Sequence, residues 1–276
     1  MKKKIVLFTL LTCLISVLVM GCGTSNDSSS TSKESSSTKS TETPSTESSA
    51  ELTISAAASL KEAMAELEPI FKKANPNISL VFNFGASGSL QQQIEQGAPA
   101  DLFISAGQSQ MKALAEKDLI LDSTQKDLVK NELVLVGPKD TTINGLDDLK
   151  TDKVTKIASG EPTSVPAGKY ADEVFTKLGI KDDIQSKLVF AKDVKEVLAW
   201  STSGNADVGF VYLSDALSNN SAKIIETVSE DLHSPITYPV GVIKSTKNPD
   251  AAKKFEDFLF TDKAKEIFEK YGYKAV

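Results

Sequence analysis

Arginine is absent from this chain: all 31 basic residues are lysine, and there is a single histidine, His233. The only two cysteines, Cys13 and Cys22, lie near the start. These scarcities exclude several chemistries. A zinc site built on several His or Cys ligands has only His233 to draw on beyond residue 22. A Ser-His-Asp triad would have to use His233. No disulfide can brace the later chain, so its fold must stand on its core. Beyond residue 50, 26 lysines face 33 carboxylates, a net −7, which offers no basic face to nucleic acid. Apolar residues make up 40% and charged residues 25%, the usual balance of a globular protein. The 226 residues after position 50 suffice for one large domain or two smaller lobes.

Residues 1–50 read as an address and a tether. Lys2, Lys3 and Lys4 precede an apolar run of 16 residues, Ile5 to Met20, slightly short for a membrane span. This is a secretory signal pattern. Its end, Val19-Met20-Gly21-Cys22, resembles a bacterial lipobox. That resemblance implies a signal peptide of residues 1–21, cleavage before Cys22 and a lipid on the Cys22 sulfur. An uncleaved signal anchor is the alternative. Both readings hold the protein at the outer face of the cell membrane. Residues 24–50 contain 18 Ser or Thr out of 27 and bury too little apolar surface to offset chain entropy. Residues 22–50 are therefore expected to be a disordered, solvated linker.

From Glu51 onward, strand and helix patterns alternate. Leu52–Ser55 is a short strand, and Leu60, Ala63, Met64, Leu67, Ile70 and Phe71 recur at helical spacing, with Pro69 a candidate kink. Strands at 78–82, 101–105, 132–137, 156–159, 188–190, 208–212 and 236–243 are interleaved with helices, and two helices close the chain. The alternation predicts an α/β fold with mainly parallel sheets. Two runs of this length suggest two lobes joined by two crossings, with residues 51–131 and 239–276 in lobe I and 132–238 in lobe II. A single doubly wound sheet is the alternative.

Ligands of α/β sheets bind beyond the carboxyl ends of strands. Four strand-to-helix turns here share a character: Ala56–Leu60 with Ser59 as a helix cap, Phe84–Leu90, Ser164–Gly168 with Pro166 at the first helical position, and Ala191–Val194 with Asp193 as N-cap. Each offers unpaired N–H groups at the positive end of a helix, and small side chains let a ligand approach. Converging on one crevice, they would form an anion site without arginine. Taken singly, each is an ordinary helix cap. His233 sits in a polar run, Glu230-Asp231-Leu232-His233-Ser234-Pro235, and reads as a surface residue; Trp200 reads as core.

At these turns the chain resembles a known family. ISAAASLKEAM, the stretch from Phe84 through QQQIEQGAPADLFISA, VPAGKYA, VGFVYLSDA and the C-terminal AKEIFEKYGY are similar, in order, to the periplasmic molybdate-binding proteins of ABC importers. The resemblance implies a two-lobed periplasmic-binding-protein type II fold with two hinge crossings, and no enzyme activity or cofactor. It implies that molybdate, or tungstate, is held by Ser59, Ser87, Ala167, Val194 and Tyr212: the serines through hydroxyl and N–H, Ala167 and Val194 through backbone N–H, and Tyr212 through its phenol. Gly88 departs from the family pattern and leaves Ser87 and Ser89 as rivals, with Ser87 preferred. Molybdenum would be bound only as its oxyanion. The implied partners are a membrane permease with its ATPase, and the membrane through a lipid anchor; no nucleic acid is implied, and the protein would be a monomer. Competing readings are another tetrahedral oxyanion such as sulfate, a secreted hydrolase, and a surface adhesin. The hydrolase needs a nucleophile elbow, and Gly85-Ala86-Ser87-Gly88-Ser89 fails it at the last position.

Overall fold

The computed structural model describes residues 49–276. The expected signal peptide, the lipid on Cys22 and all but the end of the linker lie outside the described residues. In chain order the elements are β1 (Ala50–Ala57), α1 (Lys61–Ala74), β2 (Ile78–Gly85), α2 (Ser87–Glu95), β3 (Leu102–Ile104), α3 (Gln108–Glu116), β4 (Lys126–Lys130) and β5 (Leu133–Pro138). Then come β6 (Ile157–Gly160), α4 (Pro166–Leu178), α5 (Lys181–Ile184), β7 (Leu188–Ala191), α6 (Val194–Ser203), β8 (Val208–Tyr212), α7 (Leu213–Leu217) and β9 (Ala222–Thr227). The chain closes with β10 (Thr237–Val242), α8 (Pro249–Leu259), α9 (Asp262–Lys270) and β11 (Lys274–Ala275).

These strands form two separate sheets, ordered β11-β4-β10-β3-β1-β2 and β7-β6-β8-β5-β9. The chain leaves the first sheet after Lys130, enters the second at Leu133, and returns between Thr227 and Thr237. The architecture is α/β, but the sheets are mixed rather than mainly parallel. β1 pairs in parallel with β2 and β3, and β6 with β7 and β8. β10 runs antiparallel to β3 and β4, β11 to β4, and β5 to β8 and β9. The antiparallel part includes three strands that hydrophobic patterning does not reveal. β4 (KDLVK) carries a charge at most positions, β9 (AKIIET) is an edge strand with no buried residue, and β11 is two residues long. Their partners, not their own apolar content, make them strands.

The helices are amphipathic and cover the sheets. α1 buries Ala63, Met64, Leu67 and Phe71, with Phe71 edge-on to Phe255 of α8 at 5.0 Å. Full burial of side chains of this size stabilises by about 1.5–3 kcal/mol each. Pro69 lies inside α1 without ending it, because it sits on the exposed side, where water can pair the carbonyl it frees. His233 is not a surface residue: it is 6% exposed and lies against the Tyr170 ring at 5.9 Å. Two contacts pull its polar segment onto α4, Ser234 N–H to Glu173 and Lys177 to the Asp231 carbonyl.

Close backbone approach sets the start of α4. A Cβ on Gly168 would lie 2.0 Å from the Gly160 oxygen, at the end of β6. No side chain fits there. Gly168→Ala is expected to cost at least about 1–3 kcal/mol, read as a lower chemical-denaturation midpoint with an unchanged slope.

Candidate functional site

The four helix starts meet. Ala57, Ala58, Ser59, Gly85, Ala86, Ser87, Ala106, Val165, Pro166, Ala167, Val194 and Tyr212 line one cavity between the carboxyl ends of the strands of both sheets. All five residues proposed from the sequence are among them, and Ser89 is not. The cavity volume is about 10 Å³, room for about one water-sized sphere. Sites for metabolite-sized ligands run to hundreds of Å³, so this space suits a single small ion. A larger depression of about 350 Å³ lies between β4 and the C-terminal helices, but no helix starts converge on it.

The local structure differs in one respect from the capping expected. Asp193 does cap α6, accepting the Glu196 N–H at 2.9 Å, and Pro166 does open α4. The two serines cap nothing. Ser59 sits in a 3-10 turn before α1, and its Oγ lies 2.9 Å from Tyr238 Oη. Ser87 is the first residue of α2, and its Oγ accepts the Ala106 N–H at 2.9 Å. A hydroxyl has one proton and two lone pairs. With a lone pair of Ser87 engaged by a backbone donor, its proton is left for the cavity that it lines.

Tyr212 completes the wall. It is 1% exposed, and its hydroxyl has no hydrogen-bond partner in the protein. Tyr238 is its nearest ring neighbour, 5.7 Å between centroids, but the Tyr238 hydroxyl is engaged with Ser59 and Asn131. That hydroxyl lies near enough to lower the Tyr212 pKa against the larger effect of burial, yet the two hydroxyls make no hydrogen bond. Burial raises the Tyr212 phenol well above its ordinary value, so it remains a protonated donor. A buried hydroxyl without a partner costs about 1–3 kcal/mol, a cost that a ligand oxygen would remove. Tyr273, which closes the AKEIFEKYGY stretch but had no role expected of it, donates to the Ser59 carbonyl at 2.8 Å and fixes that turn from behind.

The nearest cation by sequence is Lys195, next to Val194, and it is fully engaged. Its ammonium contacts Asp215 at 2.8 Å and Glu62 at 2.5 Å, tying α6 to both α7 and α1. Burial pulls the Lys195 pKa down, but the Asp215 charge and the Glu62 contact outweigh it and keep the ammonium protonated. The Asp215 carboxylate is fully buried, and that burial raises its pKa despite the lysine. Asp215 lies three residues after Tyr212, so the ion pair with Lys195 sits just beyond the tyrosine's strand end. Among the described residues no group of His, Cys, Asp and Glu could hold a metal ion. What remains at the cavity is a set of neutral donors: two serine hydroxyls, a phenol and the N–H groups of four helix starts. Such a set binds an anion.

A two-sheet α/β protein with a small donor-lined cavity between the sheets is a solute-binding protein by design. The chain belongs to the family of bacterial extracellular solute-binding proteins, which it matches over residues 52–274. It is 41% identical, over 99% of both chains, to a Bacillus subtilis protein named as a candidate ABC transporter substrate-binding lipoprotein, YvgL. It is 40% identical to the molybdate-binding protein ModA of Escherichia coli, over 81% of this chain and 88% of that one. Among solved structures it is similar to the substrate-binding domain of a candidate molybdenum ABC transporter from Clostridium difficile. That match has 64% identity and a TM-score of 0.66 over 83% of this chain and all of the other. The chain is a binding protein and not an enzyme.

Lys195→Met would leave Asp215 buried without a countercharge, a loss of about 3–5 kcal/mol. A buried carboxyl with a raised pKa is destabilising when ionised, so this loss is expected to be full at neutral pH. It should shrink as pH falls through the folded-state pKa of Asp215. Denaturant titrations of variant and wild type at several pH values check both statements.

Proposed function

We propose that this protein captures molybdate, with tungstate as an equivalent ligand, and delivers it to a membrane permease driven by an ATPase. The observation that carries this reading is the buried, unpartnered Tyr212 hydroxyl in an ion-sized cavity beside Ser59 and Ser87. The names of the relatives supply the choice among tetrahedral oxyanions. Ser59 and Ser87 would each give a hydroxyl and an N–H, Ala167 and Val194 backbone N–H groups from their helix starts, and Tyr212 its phenol.

The chemistry follows from the donor set. Hydrogen bonds to charged groups contribute about 1.5–3 kcal/mol each, so several together outweigh the costs of association. Every group offered is a donor. A fully deprotonated dianion satisfies them all, whereas a protonated phosphate brings a proton with no acceptor to meet it. Discrimination against the smaller sulfate would rest on how far apart the closed lobes hold their donors. We take the expected lobes, 51–131 with 239–276 as lobe I and 132–238 as lobe II, with the second crossing set back to before β10, whose Thr237 and Tyr238 pair with β4 in the first sheet. Ser59 and Ser87 then belong to lobe I, and Ala167, Val194 and Tyr212 to lobe II. An ion bonded by both lobes favours the closed state, because only there are all its bonds made. Gly88 fits this: its N–H donates to the Ser164 carbonyl at 2.9 Å, and a Cβ there would lie 2.6 Å from that oxygen.

The lipobox-like end of the apolar run, and the lipoprotein name of the Bacillus relative, support a lipid on Cys22. The Ser/Thr-rich segment would then let a monomeric binding domain range near the outer face of the membrane.

A thermal-shift panel tests the reading. Molybdate and tungstate at 100 times the dissociation constant should each add about 2.7 kcal/mol of stability. Sulfate, phosphate and chromate at the same concentration should add much less. Tyr212→Phe should weaken molybdate binding by about 1–3 kcal/mol. Equal shifts with sulfate, or none with any oxyanion, would refute the assignment.

A further inference from the structure

Two tyrosines that line no part of the cavity surround Ser59 from behind, and one of them holds the serine's own hydroxyl. Tyr238, in β10, is fully buried, with its Oη 2.9 Å from Ser59 Oγ. Either oxygen could be the donor by distance alone. A count of protons decides it. Asn131 lies between β4 and β5, and its Oδ1 accepts the Glu132 N–H at 2.9 Å, which fixes the orientation of the amide. Its Nδ2 then faces Ser214 Oγ at 2.9 Å and Tyr238 Oη at 3.3 Å, one hydrogen for each. An amide nitrogen only donates, so Tyr238 receives from Asn131 and must place its own proton elsewhere. The acceptor it meets in hydrogen-bond geometry is Ser59 Oγ at 2.9 Å; Tyr212 Oη is close by but makes no hydrogen bond with it. If Ser59 donated instead, the Tyr238 proton would be buried without an acceptor, at a cost of about 1–3 kcal/mol.

We propose that Tyr238, oriented by Asn131, is a positioning residue for anion binding: by donating to Ser59 Oγ it turns the serine proton into the cavity. The order is Asn131 Nδ2–H to Tyr238 Oη, Tyr238 O–H to Ser59 Oγ, and Ser59 O–H to the ligand. Ser87 is set up in the same sense by a shorter route, the Ala106 N–H. Both serines therefore present a hydrogen and not a lone pair, which an anion would repel. Asn131 lies where the chain leaves the first sheet, and Tyr238 just after it returns. The polarity of one ligand contact is thus set by the two segments that join the sheets. This inference rests on Ser59 being a ligand of the anion.

The test is a double-mutant cycle on the full chain by titration calorimetry with molybdate. Tyr238→Phe keeps the ring and removes the hydroxyl; it should weaken binding roughly ten-fold. In a Ser59→Ala background the same substitution should change affinity less than two-fold, because the group through which it acts is gone. Asn131→Asp keeps the shape but offers the Tyr238 proton a new acceptor. Ser59 would then donate backwards, and the new carboxylate also repels the anion on its own, so affinity should fall further than in Tyr238→Phe and more with Ser59 present than in the Ser59→Ala background. The ligand-free melting temperature of each variant reports folding separately. Wild-type affinity in Tyr238→Phe, or an equal loss with and without Ser59, would overturn this inference alone. Unchanged affinity in Ser59→Ala would overturn the reading of the site, and this inference with it.

Discussion

The first N–H groups of a helix have no acceptor within the helix, and the rest of this molecule is arranged around that constraint. Four such helix starts lie at one cavity, and the small residues around them, Ala57, Ala58, Gly85, Ala86 and Ala167, leave the backbone accessible. Each start carries about half a positive charge. Together they supply a positive field without any side-chain cation, and that field does not titrate. The sheets serve this end: parallel strands β1, β2, β6 and β7 deliver their following helices to the same side, so the starts converge.

The charged residues near the cavity complement that field by being mutually occupied. Lys195 could compete as a direct ligand, since it adjoins Val194, yet Glu62 and Asp215 hold its ammonium. A lysine so engaged organises helices and leaves the cavity to neutral donors. The serines are prepared differently. Their lone pairs are taken by Tyr238 and the Ala106 N–H, so hydroxyls that could accept or donate are committed to donating. A cavity of donors alone is a filter for protonation state as well as for charge.

Much of this was legible in the sequence. The strand–helix alternation located most elements of both sheets, and the turns with small residues, Pro166 and Asp193 located the helix starts. Resemblance to a family then picked Ser59, Ser87, Ala167, Val194 and Tyr212, and all five line the cavity. Other features had no local signal. β4, β9 and β11 are strands because of what lies beside them, so these three antiparallel strands went unread while their partners β5 and β10 were found. The burial of His233 depends on α4, which is distant in sequence. The serines looked like caps because a lone Ser at a helix start usually is one. Their true partners, Tyr238 and Ala106, are 179 and 19 residues away. The roles of Tyr273 and Asn131 were missed for the same reason: each acts through a contact across the fold.

The central claim is that a doubly charged anion is held by neutral hydrogen-bond donors alone. A crystal structure of the molybdate complex, with molybdenum located by its anomalous scattering, tests it most directly. The account predicts one molybdenum peak among Ser59, Ser87, Ala167, Val194 and Tyr212, with no lysine Nζ within hydrogen-bonding distance of its oxygens. A peak elsewhere on the molecule, or Lys195 released from Asp215 and Glu62 to contact the anion, would contradict it.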